Sequence, residues 1–532
     1  MREGTTTKIF TFQGGYATDL PPMVRDLTFL DKAENALYSV SGSVPKVGGT
    51  LALNGTVLSG APSIMGTFDF WTAGTGGTFT QYFVAVTSDG RIYNFGTGTT
   101  ATDITGAVTI TANSIPTFVQ FNDTLFIFTS AADTPISWAG IGNAAAASGS
   151  PPVGRFGFVY NDRLWIGATK ADPSRLYYCA AGDPTTWTGG DAGSIYFNRN
   201  DGDRLMGGIE HKGRGVVFKG PNKGSLHELS GTSPSTYART KLTEGIALQT
   251  PNAIIPVGDD VWFGSDQGSH SLAATEKFGN FTGAFLTRYL TGFFRTEINR
   301  TRLANVWGFN YSHKSAAGWT FTPSGGSANN LVLGLSYIRT NEEGLKPFTW
   351  TGRTCQSAGI RINPTTMLRE LVFGGNDGFI DRQDTTNYSL RNATAYNYRV
   401  RTPQLILTDK DPQGNPIGDQ PSVLFDIYLR SRPVGNYNVT ISFQRDNEAP
   451  ESYTFNQGSS AAIWDTSVFG TGAFGGSILQ TAYPNNVAKV SGRARSIRLD
   501  IQQGGLNQQA EIYEVGVEYN PTAKSRSTDL NY

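Results

Sequence analysis

One strand–turn–strand unit recurs through most of the chain. Each copy is an alternating apolar run, a short polar turn and a second run, as in FVAVTSDGRIYNFG from Phe83 and VWFGSDQGSHSLAA from Val261. Seven copies begin at residues 83, 125, 164, 216, 261, 332 and 371, so successive starts are 42, 39, 52, 45, 71 and 39 residues apart. Repeats of roughly 40 to 50 residues with several short strands are typical of β-propeller blades. We therefore predict a six- or seven-bladed β-propeller over residues 55–390, with its first blade beginning in GTFDFWTAGTGGTFTQ (66–81).

The turns that precede several of these runs have a common chemistry. FNDTLFIF carries Asn122-Asp123, YNDRLWIG carries Asn161-Asp162, and Gly258-Asp259 precedes DVWFG. Asn, Asp and Gly tolerate the positive φ that two-residue hairpin turns require. We predict that these pairs form turns and not a catalytic site.

Composition supports an all-β chain. The 532 residues include 64 Gly, 32 Phe and 22 Tyr, and only 16% are charged, against about 25% in a typical globular protein. The 71-residue interval leaves room for an insertion near 275–330, which is where a helix is predicted if one exists.

The alternating pattern changes character after residue 390. NYNVTISFQRD (436–446) and EIYEVGVEY (511–519) alternate strictly, as strands do when one face is buried and the other solvated. We predict an antiparallel β-sandwich over 391–520 and a polar tail over 521–532. Residues 1–54 are predicted to be an arm or strands that contribute to a platform or close the propeller.

Charge and targeting features exclude several protein classes. Lys+Arg and Asp+Glu both number 43, so no overall field favours nucleic acid or an anionic membrane. No run approaches the roughly 18 apolar residues of a membrane span, and MREGTTTKIFTFQ has no signal-peptide core. We expect synthesis in a reducing cytoplasm, with Cys179 and Cys355 as small apolar core residues.

No catalytic, cofactor-binding or metal-binding residue is predicted, and the chain is expected not to be an enzyme. The histidines lack metal-ligand spacing, no Ser–His–Asp set stands out, and the Gly-rich stretches lack a phosphate-loop context. TSDGRIYNF and GSDQGSHSL resemble the Asp-box of sialidases but lack its Trp. The acidic residues in turns are interpreted as caps of the backbone: Asp89, Asp123, Asp162, Asp259, Asp260, Asp266 and Asp377. The four histidines are His211, His227, His270 and His313.

Basic residues cluster mildly. FRTEINRTRL (294–303) is the densest basic stretch and GRARSIRLD (492–500) the second, whereas NRNDGDRLMGG (198–208) has mixed charges. The first two are interpreted as solvated surface or intersubunit contacts. The alternative is that one of them lines a pore traversed by DNA, where weak or balanced charge suits passage.

Four segments, in order along the chain, resemble tail proteins of short-tailed bacteriophages. GGYATDLPPMVRDLTFLDKAENALYSVSGSVPKVGG (14–49) has a Leu-Pro-Pro followed by an Ala-Glu-Asn, and SRLYYCAAGDPTTWT (174–188) has a Gly-Asp-Pro followed by a Trp. LVLGLSYIRTNEEGLKPFTWTG (331–352) is similar to a later blade of that family, and RARSIRLDI with EIYEVGVEY (493–519) to its closing strands.

This resemblance implies a structural virion protein of the tail nozzle, hub or stabilisation type. Such proteins carry a β-propeller beside β-sandwich domains and assemble as a ring, generally a hexamer, that continues the DNA ejection channel. The expected partners are further copies, adaptor or portal-side tail proteins, tail fibres or spikes, and genomic DNA that passes without sequence specificity. The expected location is the virion tail after synthesis in the host bacterial cytoplasm. The insertion near 275–330 and the terminal sandwich are expected to make the intersubunit contacts.

Two other classes remain as alternatives. An extracellular glycan-binding or glycan-hydrolysing β-propeller would need Trp, Arg and carboxylates together at one end of the propeller. The tryptophans fall instead in strand-like runs or blade ends, as core residues would: Trp165, Trp187, Trp262, Trp307 and Trp350. An intracellular interaction propeller of the common type would show Gly-His and Trp-Asp signatures, which these repeats lack.

Overall fold

The computed structural model is all-β and divides into two compact units. The seven-sheet unit comprises residues 50–334 and 352–384, and the terminal unit comprises 1–49, 335–351 and 385–532. The predicted tail over 521–532 and most of the Gly/Ser-rich stretch before residue 487 lie outside the described residues. The structure describes residues 6–20, 27–278, 285–338, 344–407, 409–410, 416–417, 421–432, 434–446, 448–457 and 487–520.

The seven-sheet unit is built from groups of three or four neighbouring antiparallel strands, called sheets 1 to 7 along the chain; sheet 6 comprises the first three strands of a longer, ten-stranded sheet. The strands of each sheet are given from first to last. Sheet 1 contains Ile64–Ala73, Phe79–Thr87, Ile92–Asn94 and Thr102–Asp103, and sheet 2 contains Thr117–Phe121, Thr124–Phe128, Ile136–Trp138 and Ala145–Ala146. Sheet 3 contains Phe156–Tyr160, Arg163–Gly167, Arg175–Tyr178 and Gly193–Tyr196, and sheet 4 contains Arg204–His211, Arg214–Gly220, Ser225–Ser230 and Ala238–Glu244.

The remaining sheets have the same order of strands. Sheet 5 contains Ile254–Val257, Asp260–Gly264 and Ser269–Ser271, and sheet 6 contains Trp307–Tyr311, Ala316–Phe321 and Leu331–Ser336. Sheet 7 contains Ser357–Ile362, Arg369–Gly374, Ile380–Gln383 and Thr50–Ala52.

The first strands of these sheets follow one another in a closed cycle. Each packs against the first strand of the next sheet, with Pro251–Ala253 providing the contact between sheets 4 and 5, and the first strand of sheet 7 packs on that of sheet 1. Glycines permit the close approach: a Cβ at Gly157 would lie 2.7 Å from the Phe128 ring, and one at Gly208 would lie 2.4 Å from the Phe158 ring. A closed cycle of small antiparallel sheets is a propeller-like fold.

A strand from early in the chain completes the last sheet. Thr50–Ala52 pairs antiparallel with Ile380–Gln383, with Asp381 opposite Ala52. The buried Asn54 side chain supports the junction because it accepts from the Ile380 amide at 2.8 Å and donates to the Gly378 carbonyl at 3.0 Å. The cycle is therefore closed by pairing between segments more than 300 residues apart in sequence.

The Asn-Asp pairs form the hairpin turns that the sequence predicts. Asn122 and Asp123 have φ of 48° and 53°, and Asn161 and Asp162 have φ of 51° and 54°, as a type I′ turn requires. The asparagines also connect neighbouring sheets. Asn122 Nδ2 donates to the Gly182 carbonyl of sheet 3 at 2.6 Å, and Asn161 Nδ2 donates to a carbonyl in sheet 4.

The sixth repeat differs from the predicted alignment. The sequence interpretation paired the run at Val332 with the later run ending at Trp350. Leu331–Ser336 and Lys346–Trp350 are neighbouring strands, as the sequence interpretation expects. However, sheet 6 uses Ala316–Phe321 as its second strand, and Lys346–Trp350 belongs to the terminal unit and pairs with Lys32–Glu34. The prediction was one strand late here because both runs alternate similarly, and this error accounts for the 71-residue interval.

The described α-helices are short and fall around the stretch where a helix was predicted. They are Leu272–Phe278 and Thr291–Thr296. Single 3₁₀ turns occur at Thr75–Gly77, Pro251–Ala253, Arg300–Asn305, Ser312–Lys314 and Arg391–Ala393. No helix in the described part of the chain is long and apolar enough to cross a membrane.

The terminal unit contains two larger groups of strands. The first group comprises Thr6–Phe10, Glu511–Asn520, Ser422–Ser431 and Val487–Lys489, with Arg493–Ala494 and Val44–Pro45 at its margins. The second comprises Lys346–Trp350, Lys32–Glu34, Tyr398–Arg401, Ser496–Gln503, Asn438–Arg445 and Glu451–Asn456, with Leu405–Ile406 beside Ser496–Gln503. Two-stranded ladders join Gly15–Tyr16 to Phe29–Leu30 and Asp409–Lys410 to Pro416–Ile417.

Burial follows the predicted alternation along Asn438–Arg445, whereas Glu511–Asn520 is buried on both faces over residues 515–519, contrary to the prediction. Val439, Ile441 and Phe443 are buried on one face of their strand, as the sequence pattern indicates. Buried polar groups tie the early segment to later strands, since Trp350 Nε1 donates to the Ala36 carbonyl at 3.0 Å and the Tyr398 hydroxyl to the Val44 carbonyl at 2.7 Å.

The close approach of first strands can be tested at Gly208. We expect Gly208→Ala to lower the free energy of unfolding by about 1 to 3 kcal/mol, since the new methyl group would overlap the Phe158 ring. Chemical denaturation monitored by intrinsic fluorescence measures this change. Gly55→Ala is the matched control because the nearest atom to its Cβ would be 3.9 Å away. Equal stabilities of the two variants would contradict the packing account.

Candidate functional site

A cavity of about 920 Å³ opens at one edge of the seven-sheet unit. At this edge, here called the pocket edge, the first strands begin and the second strands end. The opposite edge, which carries the turns between first and second strands, is the turn edge. The lining comes from loops of sheets 2, 3 and 4: Ala131, Arg155, Ala168, Thr169, Lys170, Ala171, Asp172, Pro173, Ser174, Arg199, Asn200, Gly202, Asp203, Arg204, Pro221 and Asn222.

Two partly buried arginines lie close together in this cavity. Arg155 directly precedes the first strand of sheet 3, and Arg204 is the first residue of sheet 4. Within the described ranges, neither guanidinium has a carboxylate at ion-pair distance; Arg204 Nε lies 3.2 Å from the Met206 sulfur. Burial, and secondarily the positive charge of Arg204, lower the pKa of Arg155. The two side chains thus form a like-charged pair in partial desolvation, which costs free energy.

The rim of the cavity adds further basic groups. The Arg199 guanidinium lies 3.3 Å from the centre of the Tyr196 ring and 3.7 Å from the Asp172 carboxylate. Lys170 is exposed. With four basic and two acidic residues in the lining, its formal charge is +2. This local excess is not visible in the neutral total of the chain.

The Asp203 carboxylate stabilises the cavity wall through hydrogen bonds to the backbone. Its carboxylate accepts from the backbone amides of Asn222, Lys223 and Gly224 at 2.8, 3.1 and 2.7 Å. Asn222 Nδ2 returns a hydrogen bond to the Gly202 carbonyl at 2.9 Å. Two loops of sheet 4 are therefore fastened to each other.

Lys219 stabilises, from inside the protein, the loop that precedes Arg204 in the cavity wall. Its side chain is fully buried, and Nζ donates to the Phe197 and Asn198 carbonyls at 2.9 and 2.7 Å and to Asp201 at 2.7 Å. Burial raises the pKa of Asp201, but hydrogen bonds, foremost that from Lys219, lower it by more. A buried charge satisfied in this way holds its loop in one conformation.

The acidic residues in turns do not converge. Asp123, Asp162 and Asp259 lie at the turn edge of sheets 2, 3 and 5, and Asp89, Asp266 and Asp377 lie at the pocket edge of sheets 1, 5 and 7. None of these six residues lines the cavity. Across the residues that could be searched, no group of three or more His, Cys, Asp or Glu side chains could hold a metal ion.

Asp260 has a role in the packing of sheet 5. Its carboxylate accepts from Trp262 Nε1 at 3.1 Å, from the Ser271 hydroxyl at 2.6 Å and from the Ala273 amide at 2.8 Å. These bonds fasten the second strand to the start of the helix Leu272–Phe278, so the residue caps and braces local structure.

The histidines and cysteines also lie away from the cavity. His227 and His270 are buried, and desolvation lowers the pKa of each to about 4. Cys179 and Cys355 are buried, and burial raises the pKa of Cys179 to about 11 and that of Cys355 to about 12. Both pairs of residues are uncharged members of the packed interior at neutral pH.

The two basic stretches have separate positions. Arg295 and Arg300 border a smaller cavity of about 530 Å³ beside Phe294, and Arg300 lies 3.6 Å from Asp266. GRARSIRLD (492–500) contributes Arg493–Ala494 and the start of Ser496–Gln503 to the terminal unit. Neither stretch reaches the 920 Å³ cavity.

Sequence reasoning missed the arginine pair. Arg204 lies in NRNDGDRLMGG, which was interpreted only as mixed charge, and Arg155 lies in PPVGRFGFVY. Both precede an alternating run, and they are 49 residues apart, which is one repeat. The signal that could have identified the pair was a basic residue at the same position in two adjacent repeats.

Comparison with known proteins relates the chain to solved structures at low identity. The extracellular domain of a protein described as a hybrid two-component system from B. thetaiotaomicron matches with a TM-score of 0.39 and 12% identity over 77% of this chain; the chain spans 47% of that structure. An exo-β-1,3-galactanase from Phanerochaete chrysosporium matches with a TM-score of 0.28 and 10% identity, over 89% of this chain and 100% of that one. A further glycoside hydrolase matches with a TM-score of 0.23 and 9% identity, over 86% and 99%. No protein-family model and no curated protein matches the sequence.

The buried histidines predict acid sensitivity. The pKa of both is about 4 in the folded protein, below the roughly 6.5 of an unfolded chain, so the unfolded state binds more protons between these values. Stability is therefore fully present above pH 6.5 and falls as the pH falls towards 4. At pH 5 we expect each histidine to lower the free energy of unfolding by about 2 kcal/mol relative to pH 7.5. Denaturant unfolding at pH 7.5 and pH 5 measures this difference.

His227→Gln tests the assignment. The amide can keep the contact with the Ser225 hydroxyl, which lies 3.0 Å from His227 Nε2, but does not titrate. The variant should lose less stability than the wild type over the same pH interval. An unchanged pH dependence would show that His227 does not contribute.

Proposed function

We propose that this protein is a non-catalytic glycan-binding module whose ligand occupies the 920 Å³ cavity at the pocket edge. The observation that carries the proposal is a concave site with fixed walls and a local excess of positive charge. Its size falls within the roughly 300 to 1,000 Å³ of small-molecule pockets. Asn200 and Asn222 are exposed in the lining and offer amide oxygens that can accept from a polyhydroxylated ligand.

A binding role fits the carboxylates of the lining better than hydrolysis. A glycosidase of the common type needs two carboxyl groups, one free to donate a proton and one to act as base or nucleophile. Asp203 is occupied by three backbone amides, and Asp172 lies beside Arg199.

We further propose that the seven-sheet unit is a seven-bladed β-propeller and that the terminal unit contains an antiparallel β-sandwich. The cyclic packing of the first strands and the fourth strand supplied by Thr50–Ala52 support the first assignment. The alternate burial along Asn438–Arg445 supports the second. The strand ends of a propeller form a concave face in which ligands commonly lie.

Glycan binding is tested with the intact protein on an array of neutral and acidic oligosaccharides, followed by calorimetry with any ligand found. We expect saturable binding, and no release of reducing sugar after prolonged incubation. Absence of binding would reject the glycan ligand. Turnover would reject the non-catalytic role.

A structural role in a bacteriophage tail is the second candidate. The four ordered segments between residues 14 and 519 favour it, and one of them forms a defined local structure: Asp183 accepts from the Thr185 amide at 2.9 Å, and Trp187 Nε1 donates to the Pro184 carbonyl at 2.7 Å. In this role, copies would assemble as a ring around the DNA ejection channel beside other tail proteins. The two roles do not exclude one another, because a virion protein can also carry a binding pocket.

Native mass spectrometry and electron microscopy of the purified protein test the second role. A ring with an axial opening, generally of six copies, is the expected result. Monomers alone at micromolar concentration, together with absence of the protein from any virion ring, would contradict it. Glycan binding by a monomer would leave the first role in place.

A further inference from the structure

Among the described residues, Arg155 and Arg204 have no carboxylate partner such as Arg163 and Arg399 have. Arg163 pairs with Asp191 and donates to the Cys179 carbonyl at 2.8 Å, and Arg399 pairs with Asp500. In the described part of the chain no such acceptor serves Arg155, and Arg204 faces a sulfur atom. Two adjacent cations without counter-charge leave strong hydrogen-bond donors available to a ligand.

The surroundings hold these donors in place. Arg204 follows Asp203, whose carboxylate is fixed by three amides, and the preceding loop is held by the buried Lys219. Asn200 and Gly202 have φ of 61° and 87°, so this loop has a specific backbone shape. A site whose walls are already ordered loses little conformational entropy when a ligand binds.

We propose that Arg155 and Arg204 form an anion subsite that takes the carboxylate of an acidic glycan, such as a uronic acid. This inference rests on the proposed function and names its ligand class. Guanidinium groups match the planar carboxylate with paired N–H donors. Asn200 and Asn222 are exposed in the same lining, and their amide oxygens can accept from the hydroxyl groups of the sugar ring.

The distribution of charge favours a single acidic group over an extended polyanion. The basic residues of the lining are interrupted by Asp172 and Asp203, and the formal charge of the cavity is only +2. A polyanion of high charge density would meet these two carboxylates in the same lining. One carboxylate per bound segment fits the local balance.

The subsite is tested by calorimetry with a neutral oligosaccharide that carries one glucuronate, the methyl ester of that ligand, a neutral oligosaccharide of equal length and free glucuronate. We expect the carboxylated ligands to bind, the ester to bind about tenfold or more weakly, and affinity to fall with added salt. Arg155→Gln and Arg204→Gln should each weaken the binding of the acidic ligand by about tenfold, as esterification does. Arg214→Gln is the matched control, because Arg214 pairs with Glu228 at the turn edge of the same sheet.

Thermal unfolding without ligand separates binding from folding. Arg155→Gln should not lower the melting temperature, because it relieves a like-charge contact. Equal affinity for the acid and its ester, or wild-type affinity in both arginine variants, would overturn the subsite while leaving glycan binding intact. Arginine-dependent binding of free glucuronate without any oligosaccharide binding would keep the subsite and reject the glycan function. Binding of sulfate or phosphate in preference to carboxylate would overturn the assigned ligand.

Discussion

Pairing between Thr50–Ala52 and Ile380–Gln383 is the constraint on which the seven-sheet unit depends. It joins segments from opposite ends of that unit and supplies the last sheet with its fourth strand. Without it, Ile380–Gln383 would form an open outer edge of sheet 7. An open edge exposes unpaired backbone groups. Asn54 reinforces the junction from a buried position.

The cavity follows from this closed cycle because each sheet presents equivalent strand ends at the same edge. Arg155 and Arg204 occupy equivalent places in sheets 3 and 4, so the packing of the first strands brings them together. Their like charges are tolerated because Lys219 and Asp203 fix the neighbouring loops through backbone contacts. Lys219 and Asp203 therefore stabilise the local fold, whereas Arg155 and Arg204 supply the hydrogen-bond donors of the cavity.

The polar residues in turns illustrate how local and tertiary roles combine. Asn122 and Asn161 were interpreted from their spacing as turn residues, and their positive φ agrees. Their side-chain bonds to neighbouring sheets could not be read from spacing, because the partner carbonyls lie 60 and 71 residues away. Spacing also could not show which alternating runs form the sixth repeat, because two similar runs belong to different units.

The sequence by itself determined the all-β character, most of the repeat positions, the hairpin turns and the buried faces of strands such as Asn438–Arg445, since these depend on local backbone preference and alternation. It did not determine that the late run Lys346–Trp350 joins the terminal unit, or that Thr50–Ala52 closes the cycle. It also left Arg155 and Arg204 unconnected. Only the tertiary structure decided these features, because each depends on which distant strands pair and pack, and pairing energy between strands is set by contacts that have no fixed spacing in sequence.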